Sequence, residues 1–333
     1  DLSLSSGQTG DQPEIRDAGD SKSKEVSRME AERPENNSRT SCVILNYNDS
    51  GTTVEQVRRI CGYPSLDDIV VVDNASREDS WEELKTSVEH MENVHLIRAE
   101  RNGGYGAGNN IGVRYSLENL GARYVLIANP DTVFSDVCVK NLKNLLENHR
   151  EAAAVAPVMI DPVFGRQRNG WKLTGFWGSL IKTGPVCRRT LCRILAGKLD
   201  YPEAYFKNRK AVWVDAVHGS LLMADAGKML ECGGYDENVF LYNEEEILAR
   251  RLMAGGWKTA LLLSQTYRHE HSASISKSVK SALDRQRLRH ESAMYYYKEY
   301  LQINRFEEWA ARCFFAVILG EIWFCRSILK MEW

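Results

Sequence analysis

The tripeptide Asn129-Pro130-Asp131 directly follows the apolar run Tyr124-Val-Leu-Ile-Ala128. It therefore sets a carboxylate at the end of what reads as a buried strand. In open α/β sheets the crevice beyond the carboxyl ends of the strands is where ligands bind. Acidic oxygens there can hold a hard divalent cation, which keeps several positions for substrate phosphates. Alone, the tripeptide also makes ordinary turns. Its company gives it weight: Val43-Ile-Leu-Asn-Tyr-Asn48, Val70-Val-Val-Asp-Asn-Ala-Ser76 and Asn102-Gly-Gly-Tyr-Gly-Ala-Gly-Asn-Asn110 before it, and Gly233-Gly-Tyr-Asp-Glu237, Tyr242-Asn-Glu-Glu-Glu246 and His269 after it. That ordered set implies an enzyme that handles a nucleotide diphosphate.

Asn46 and Asn48 end one strand-like run and Asp73 ends the next. Side by side at a sheet edge, they could hold a base and ribose, with Asp73 accepting from a uracil or thymine imide. The competing reading is that Asp-Asn-Ala-Ser only turns the chain and caps a helix. Asn102, Gly103 and the glycines that follow read as a turn opening a helix, where main-chain amides can approach phosphates. No Gly-Lys-Ser/Thr follows, and the Gly-x-Gly-x-x-Gly spacing fails, so this is neither a P-loop nor a dinucleotide fingerprint.

Three carboxylates open a predicted helix at Glu244-Glu245-Glu246. Asn243 and Glu246 have capping-box spacing, and acidic residues suit the first turn of a helix. Three acids exceed what capping needs, and an ionised carboxylate there can serve as a general base. His269 and His271 follow the strand-like Leu261-Leu-Leu263. Either they sit unengaged in a surface loop, or an imidazole completes a metal site with Asp131. Trp213, Asp215, His218 and Gly219 precede the Gly-Gly-Tyr-Asp-Glu turn that carries Asp236; they read as an acceptor pocket or as a buried strand and its turn.

The elements that must position these groups are legible as alternation. Strand-like runs at 42–47, 69–73, 94–98, 124–128 and 153–159 are separated by amphipathic segments near 52–61, 79–91, 107–120 and 136–149. Five such units predict an α/β fold with a mostly parallel, doubly wound sheet. Further strands are expected at 211–214, 221–223 and 260–263, and helices from 278 onward. The expected organisation is a nucleotide-sugar-binding half at 41–160, a basic insertion at 161–210, an acceptor-binding and catalytic half at 211–275, and C-terminal helices at 276–333. Residues 1–40 are polar and predict a disordered or foreign N-terminal segment, with Met29 as the candidate natural start.

The chain has 333 residues, 43% of them hydrophobic, and a formal net charge of −2. That charge excludes a nucleic-acid footprint. The insertion is the exception, with eleven Lys and Arg against three acids and Trp171, Phe176 and Trp177 interleaved. Eight cysteines occur without Cys-x-x-Cys spacing, which points to reduced thiols in a cytoplasmic protein. No signal peptide opens the chain. Residues 313–325 are apolar on nearly every face and imply a helix packed in the fold, a homodimer helix, or one dipping into a membrane surface. Glu321 argues against a spanning helix.

Together, the motifs of residues 41 to about 275 resemble an inverting family 2 glycosyltransferase of the GT-A fold, in the rhamnosyl- and galactofuranosyl-transferase branch that serves bacterial capsule, O-antigen and cell-wall assembly. The resemblance implies that Asp73 reads the nucleobase and Asn102 helps hold the donor. It implies Mn2+ or Mg2+ on Asp131 and His269, a base at Glu245 with Glu244 before it, and a saccharide or lipid-linked acceptor. Two departures stand out. The family's acidic pair is often followed two residues later by Asp, where this chain has Ile247 after Glu245, so the base lies among Glu244, Glu245 and Glu246. The family's first metal-site carboxylate is Asn129 here.

Two rival readings differ in class. A catalytically silent member would bind nucleotide sugar or glycan as a partner subunit, and donor turnover discriminates it. A sugar-1-phosphate nucleotidyltransferase would need a Gly-, Arg- and Lys-bearing signature after the first strand, where Asn46-Tyr-Asn-Asp-Ser-Gly51 stands instead.

Overall fold

A computed structural model describes residues 38–183, 199–270 and 281–327. The expected disorder of the N-terminal segment, His271, and the core of the basic insertion with Cys187 and Cys192 lie outside the described residues.

The buried runs become parallel strands because βαβ crossovers cover both faces of the sheet. β1 (Thr40–Asn46), β2 (Asp68–Asp73), β3 (Val94–Arg98) and β4 (Tyr124–Ala128) are connected by α1 (Ser50–Ile60), α2 (Glu78–Val88) and α3 (Gly104–Glu118). Then come β5 (Thr132–Val133), α4 (Asp136–Asn148), β6 (Ala152–Asp161), β7 (Gly165–Gln167) and β8 (Gly170–Trp171). Next are α5 (Phe176–Thr183), β9 (Ala211–Val214), β10 (Ala216–Val217), β11 (Leu221–Asp225), α6 (Ala226–Glu231) and α7 (Glu244–Ala254). β12 (Lys258–His269), α8 (Ala282–Glu299) and α9 (Arg305–Ser327) complete the order.

The main sheet runs β3-β2-β1-β4-β11-β6-β12-β5. β3, β2, β1 and β4 are mutually parallel, as are β6 and β12, while β11 lies antiparallel between β4 and β6. Strands from the later half of the sequence therefore complete the sheet begun by the first half. The outer edge of β12 is shared: β9 pairs with its start and β5 with its end.

Alternation sends Cys42 and Ile44 to one face and Val43 to the other. The first face packs on α1, α2 and α4 through Val57, Ile60, Leu84 and Leu142. The second packs on α3, α6 and α7 through Val113, Met229, Leu248 and Leu252. A third cluster joins α5, α7, α8 and α9 through Phe176, Ile247, Tyr297 and Phe315. Among the described residues Cys42, Cys61, Cys138, Cys232 and Cys313 are free thiols. Burial pushes the Cys138 thiol up to about 12, so it is inert at neutral pH.

The glycine-rich stretch opens a helix as expected, but earlier than residue 107: α3 begins at Gly104, so most of the stretch is helical. A Cβ on Gly108 would strike Leu45, one on Gly112 would strike Val43, and one on Gly106 would sit 2.9 Å from Tyr235 Cβ. These glycines bring the helix close to the sheet.

Candidate active site

The Asn129-Pro130-Asp131 turn is held at both ends. The Asn129 amide donates to the Ser220 carbonyl at 2.8 Å, and the Asn129 carbonyl accepts from the Thr132 hydroxyl at 2.7 Å. β5 then crosses to the end of β12, with Thr132 opposite His269. Asp131 Oδ1 consequently lies 3.3 Å from His269 Nε2, each side chain 9% exposed. The surface-loop alternative for His269 is corrected, since it is the last residue of a strand and buried. The His218 ring meets the His269 ring edge-on, 5.9 Å between centroids. Ser220 hydrogen-bonds both His218 Nδ1, at 3.0 Å, and the Tyr267 hydroxyl, at 2.6 Å.

This pair fits a hard cation that brings part of its own shell. Two cis ligands of an octahedral ion at about 2.1 Å each lie about 3 Å apart. Asp131 and His269 already have nearly that spacing. Among the described residues no group of three or more His, Cys, Asp or Glu converges as a metal cage. A cation here would keep positions open for water and phosphate oxygens.

The acidic turn meets the same segment at Gly219. Glu245 Oε1 accepts from the Gly219 amide at 3.3 Å, and the Gly219 carbonyl accepts from the Tyr105 hydroxyl at 2.8 Å. Glu244 is buried, and burial followed by the neighbouring Glu245 pushes its carboxyl well above the carboxylate range. The same two causes push Glu246 up to about 7. The capping box expected here does not form: Tyr242 and Asn243 have positive φ of 75° and 63°, and the Asn243 side chain caps no amide. The left-handed turn re-aims the chain so that Glu245 reaches Gly219.

Asn46 and Asp73 are register partners, as two adjacent strand ends should be. Both are fully buried. Asn46 Nδ2 donates to Asp73 Oδ2 at 2.8 Å, and the Ser76 amide donates to Asp73 Oδ1 at 3.0 Å. Asp73 thus braces the 74–76 turn from inside rather than presenting an open carboxylate. Asn48, at φ 53°, accepts from the Arg77 amide at 2.9 Å. Asn102 Oδ1 receives Asn74 Nδ2 at 2.9 Å and the Gly104 amide at 3.0 Å, while Gly103 precedes the helix. Gly104 has φ +90°, and a Cβ there would run into the Phe240 carbonyl. Tyr105 donates its amide to that carbonyl at 3.0 Å. The donor-side turn is thereby fastened to the segment leading into Glu244.

Two predicted acceptor residues are placed elsewhere. Trp213 lies opposite Ala260, nine residues along β12 from His269, against the His149 ring and the Lys258 ammonium. Asp236 is a tether. It accepts from Tyr300 at 2.6 Å, Tyr295 at 3.0 Å and the Asn238 amide at 3.0 Å, and pairs with Arg251 at 3.1 Å. Burial opposes its charge, but bonds from Tyr300, Asn238 and Tyr295 outweigh that and hold the carboxyl below its usual range.

Sequence reasoning missed Tyr105, Ser220, Tyr267 and the grip of α8. Arg250 Nε donates to the Tyr296 hydroxyl at 2.6 Å, Arg251 Nε donates to the Tyr300 hydroxyl at 2.9 Å, and Ser292 donates to the Leu241 carbonyl at 2.6 Å. The run of tyrosines at 295–297 was the available signal, because buried phenols need partners.

Residues 41–193 match the model of "Glycosyl transferase family 2". The chain is 29% identical over 206 residues to the low-salt glycan biosynthesis hexosyltransferase Agl10 of Haloferax volcanii, covering 62% of this chain but only 58% of that relative. It is 25% identical over 228 residues to the N-acetylglucosaminyl-diphospho-decaprenol L-rhamnosyltransferase of Mycobacterium tuberculosis, 65% of this chain and 70% of that one. A 109-residue stretch, 31% of this chain, is 34% identical to the dTDP-rhamnosyl transferase RfbF of Shigella flexneri, of which it covers 35%. Among solved structures, a Pyrobaculum calidifontis mannosyltransferase in complex with GDP-Man and Mn2+ superposes with a TM-score of 0.53 at 15% identity, over 90% of this chain and 75% of the other. Residues 41–193 are therefore similar to glycosyl transferase family 2, and the chain has a GT-A fold.

Proposed function

We propose that the chain is an inverting glycosyltransferase that moves a sugar from a nucleotide-diphosphate donor, dTDP-rhamnose or a UDP-sugar, to a saccharide acceptor in bacterial surface polysaccharide synthesis. The observation that carries this reading is the convergence on the 218–220 segment: Gly219 bonds Glu245, and His218 abuts the His269–Asp131 pair. A candidate base and a candidate phosphate end thus meet at one short segment.

Asp131 and His269 would hold Mn2+ or Mg2+, which would supply Lewis-acid stabilisation to the leaving diphosphate. Asn129 and the Asn102–Gly103 turn line the donor crevice. Asn46, Asn48 and Asp73 shape its base end through the 74–76 turn. Glu245 takes the proton of the acceptor hydroxyl as that oxygen bonds to the anomeric carbon. The bond from that carbon to the β-phosphate oxygen breaks, and the nucleoside diphosphate leaves with its electron pair. Glu244, held neutral by burial, backs Glu245 rather than competing with it. His218 and Gly219 wall the acceptor side.

The acceptor is proposed to be lipid-linked, a class that the name of the mycobacterial relative also carries. No described helix is long and apolar enough to cross a membrane. Peripheral contact at the inner face of the cytoplasmic membrane is supported by α9, whose outer side presents Phe306, Trp309, Val317, Trp323 and Phe324 at 48% to 63% exposure. Trp177 of the basic insertion lies 6.4 Å from Phe306, ring to ring, and extends that strip.

A panel of dTDP- and UDP-sugars incubated with Mn2+ tests the activity; release of nucleoside diphosphate that needs both metal and acceptor is expected. Absence of turnover with every donor and acceptor in the panel counts against it. Flotation with anionic liposomes tests the membrane contact, and a stable dimer that fails to float assigns the strip to a second copy instead.

A further inference from the structure

The face of α8 that grips the catalytic helix does not stop where the grip stops. Tyr296 holds Arg250, and Ser292, one turn earlier, holds the Leu241 carbonyl. The next position on that face is Arg289, and Arg285 follows one turn beyond. Arg289 is exposed, and its guanidinium lies over the Tyr242 ring, 4.4 Å from the centroid. Tyr242 stands two residues before Glu244. Among the described residues Arg289 makes no ion pair, although three carboxylates begin two residues after Tyr242.

We infer that Arg289, stacked on Tyr242, is a subsite for the phosphate of a phosphate-bearing acceptor. This rests on the transferase reading above and adds the acceptor's charge to it. An anion nearing Glu244, Glu245 and Glu246 is repelled unless a cation meets it at the rim. A guanidinium fits that task because its planar fork bonds two phosphate oxygens at once. Stacking on a ring whose own backbone is fixed presets the fork's plane, so little freedom is lost on binding. In the proposed function the donor's phosphates have their own place at Asp131 and His269, which Arg289 does not touch.

The probe is geranyl diphosphate, with geraniol as its phosphate-free counterpart, titrated calorimetrically into the full chain saturated with UDP and Mn2+. The wild type is expected to bind the diphosphate and not geraniol. Arg289→Gln should weaken that binding by roughly ten- to a hundredfold, and Arg289→Lys should restore part of it. All three proteins should melt alike, since the side chain is exposed. Unchanged affinity in Arg289→Gln, equal binding of geraniol, or displacement of the probe by further UDP each overturns the assignment. Donor turnover is scored separately: its absence would remove the transferase reading, while the probe titration would still report on the anion site.

Discussion

Glu245 and Gly219 are joined by a hydrogen bond from the Gly219 amide to Oε1 at 3.3 Å, which fixes the acidic turn of α7 against the segment carrying His218. Only one of the three consecutive acids makes this bond.

The first prediction separates those acids. Glu245→Gln keeps the bond to Gly219 but removes the proton acceptor, so transfer should fall on the order of 10²-fold or more with donor binding nearly unchanged. Glu244→Gln mimics the neutral form that burial already favours and should keep most of the activity. Single-turnover rates on the two variants decide it, and the reverse ranking would move the base to Glu244.

Asp131→Ala should abolish the manganese-dependent part of UDP or dTDP binding while the melting temperature stays close to wild type. His269→Ala should cause a smaller loss of the same kind, because the imidazole is the proposed second ligand. Calorimetry with and without Mn2+ reads both, and an unchanged metal effect in Asp131→Ala contradicts the site.

Two groups whose titration burial shifts in opposite senses give opposite pH slopes. Glu246, raised to about 7, contributes stability below the ordinary carboxylate range that is lost as pH rises through 7. His290 is buried, and burial followed by the nearby Arg289 lowers it to about 4, so its contribution is present above pH 6.5 and lost as pH falls through 4. Melting curves from pH 4 to 8 should therefore show Glu246→Gln gaining on wild type with rising pH, by on the order of 1 to 2 kcal/mol once solvent screening of this half-buried group is allowed for. His290→Leu should gain on wild type as pH falls. Parallel curves for all three proteins would refute both assignments.

Gly104→Ala should destabilise the fold by at least about 2 kcal/mol, since it combines a positive φ with collision against the Phe240 carbonyl. Both donor affinity and transfer should drop, because the same contact ties Asn102 to the acidic turn. A variant that melts like wild type would mean that this contact yields without cost.

The alternation of β1 to β6 was legible because strands buried on both faces must be apolar throughout, and the helices between them must be amphipathic. The carboxylate at Asp131 and the histidine at His269 were legible as strand-end residues, and their pairing as one of two readings of His269. What was not legible is the element that brings them together, β5, which is two residues long and which no periodicity reveals. Asp236 misled for a related reason. Its partners Tyr295, Tyr300 and Arg251 lie 15 to 64 residues later and are ordinary helix residues in sequence. The capping box at Asn243 failed because local propensity yielded to a left-handed turn that the tertiary contacts of Phe240 and Leu241 impose.

The antiparallel placement of β11 bears on what can be cut from this protein. The segment matching the family model ends at residue 193, yet the strand seated between β4 and β6 is built from Leu221–Asp225. An excised fragment ending there would lack the middle of its own sheet. It would expose the hydrogen-bonding edges of β4 and β6 to each other or to a neighbouring molecule, and unpaired inner edges of this kind drive aggregation. The matching segment is thus not a unit of folding, and a minimal version of the protein has to be designed around the sheet.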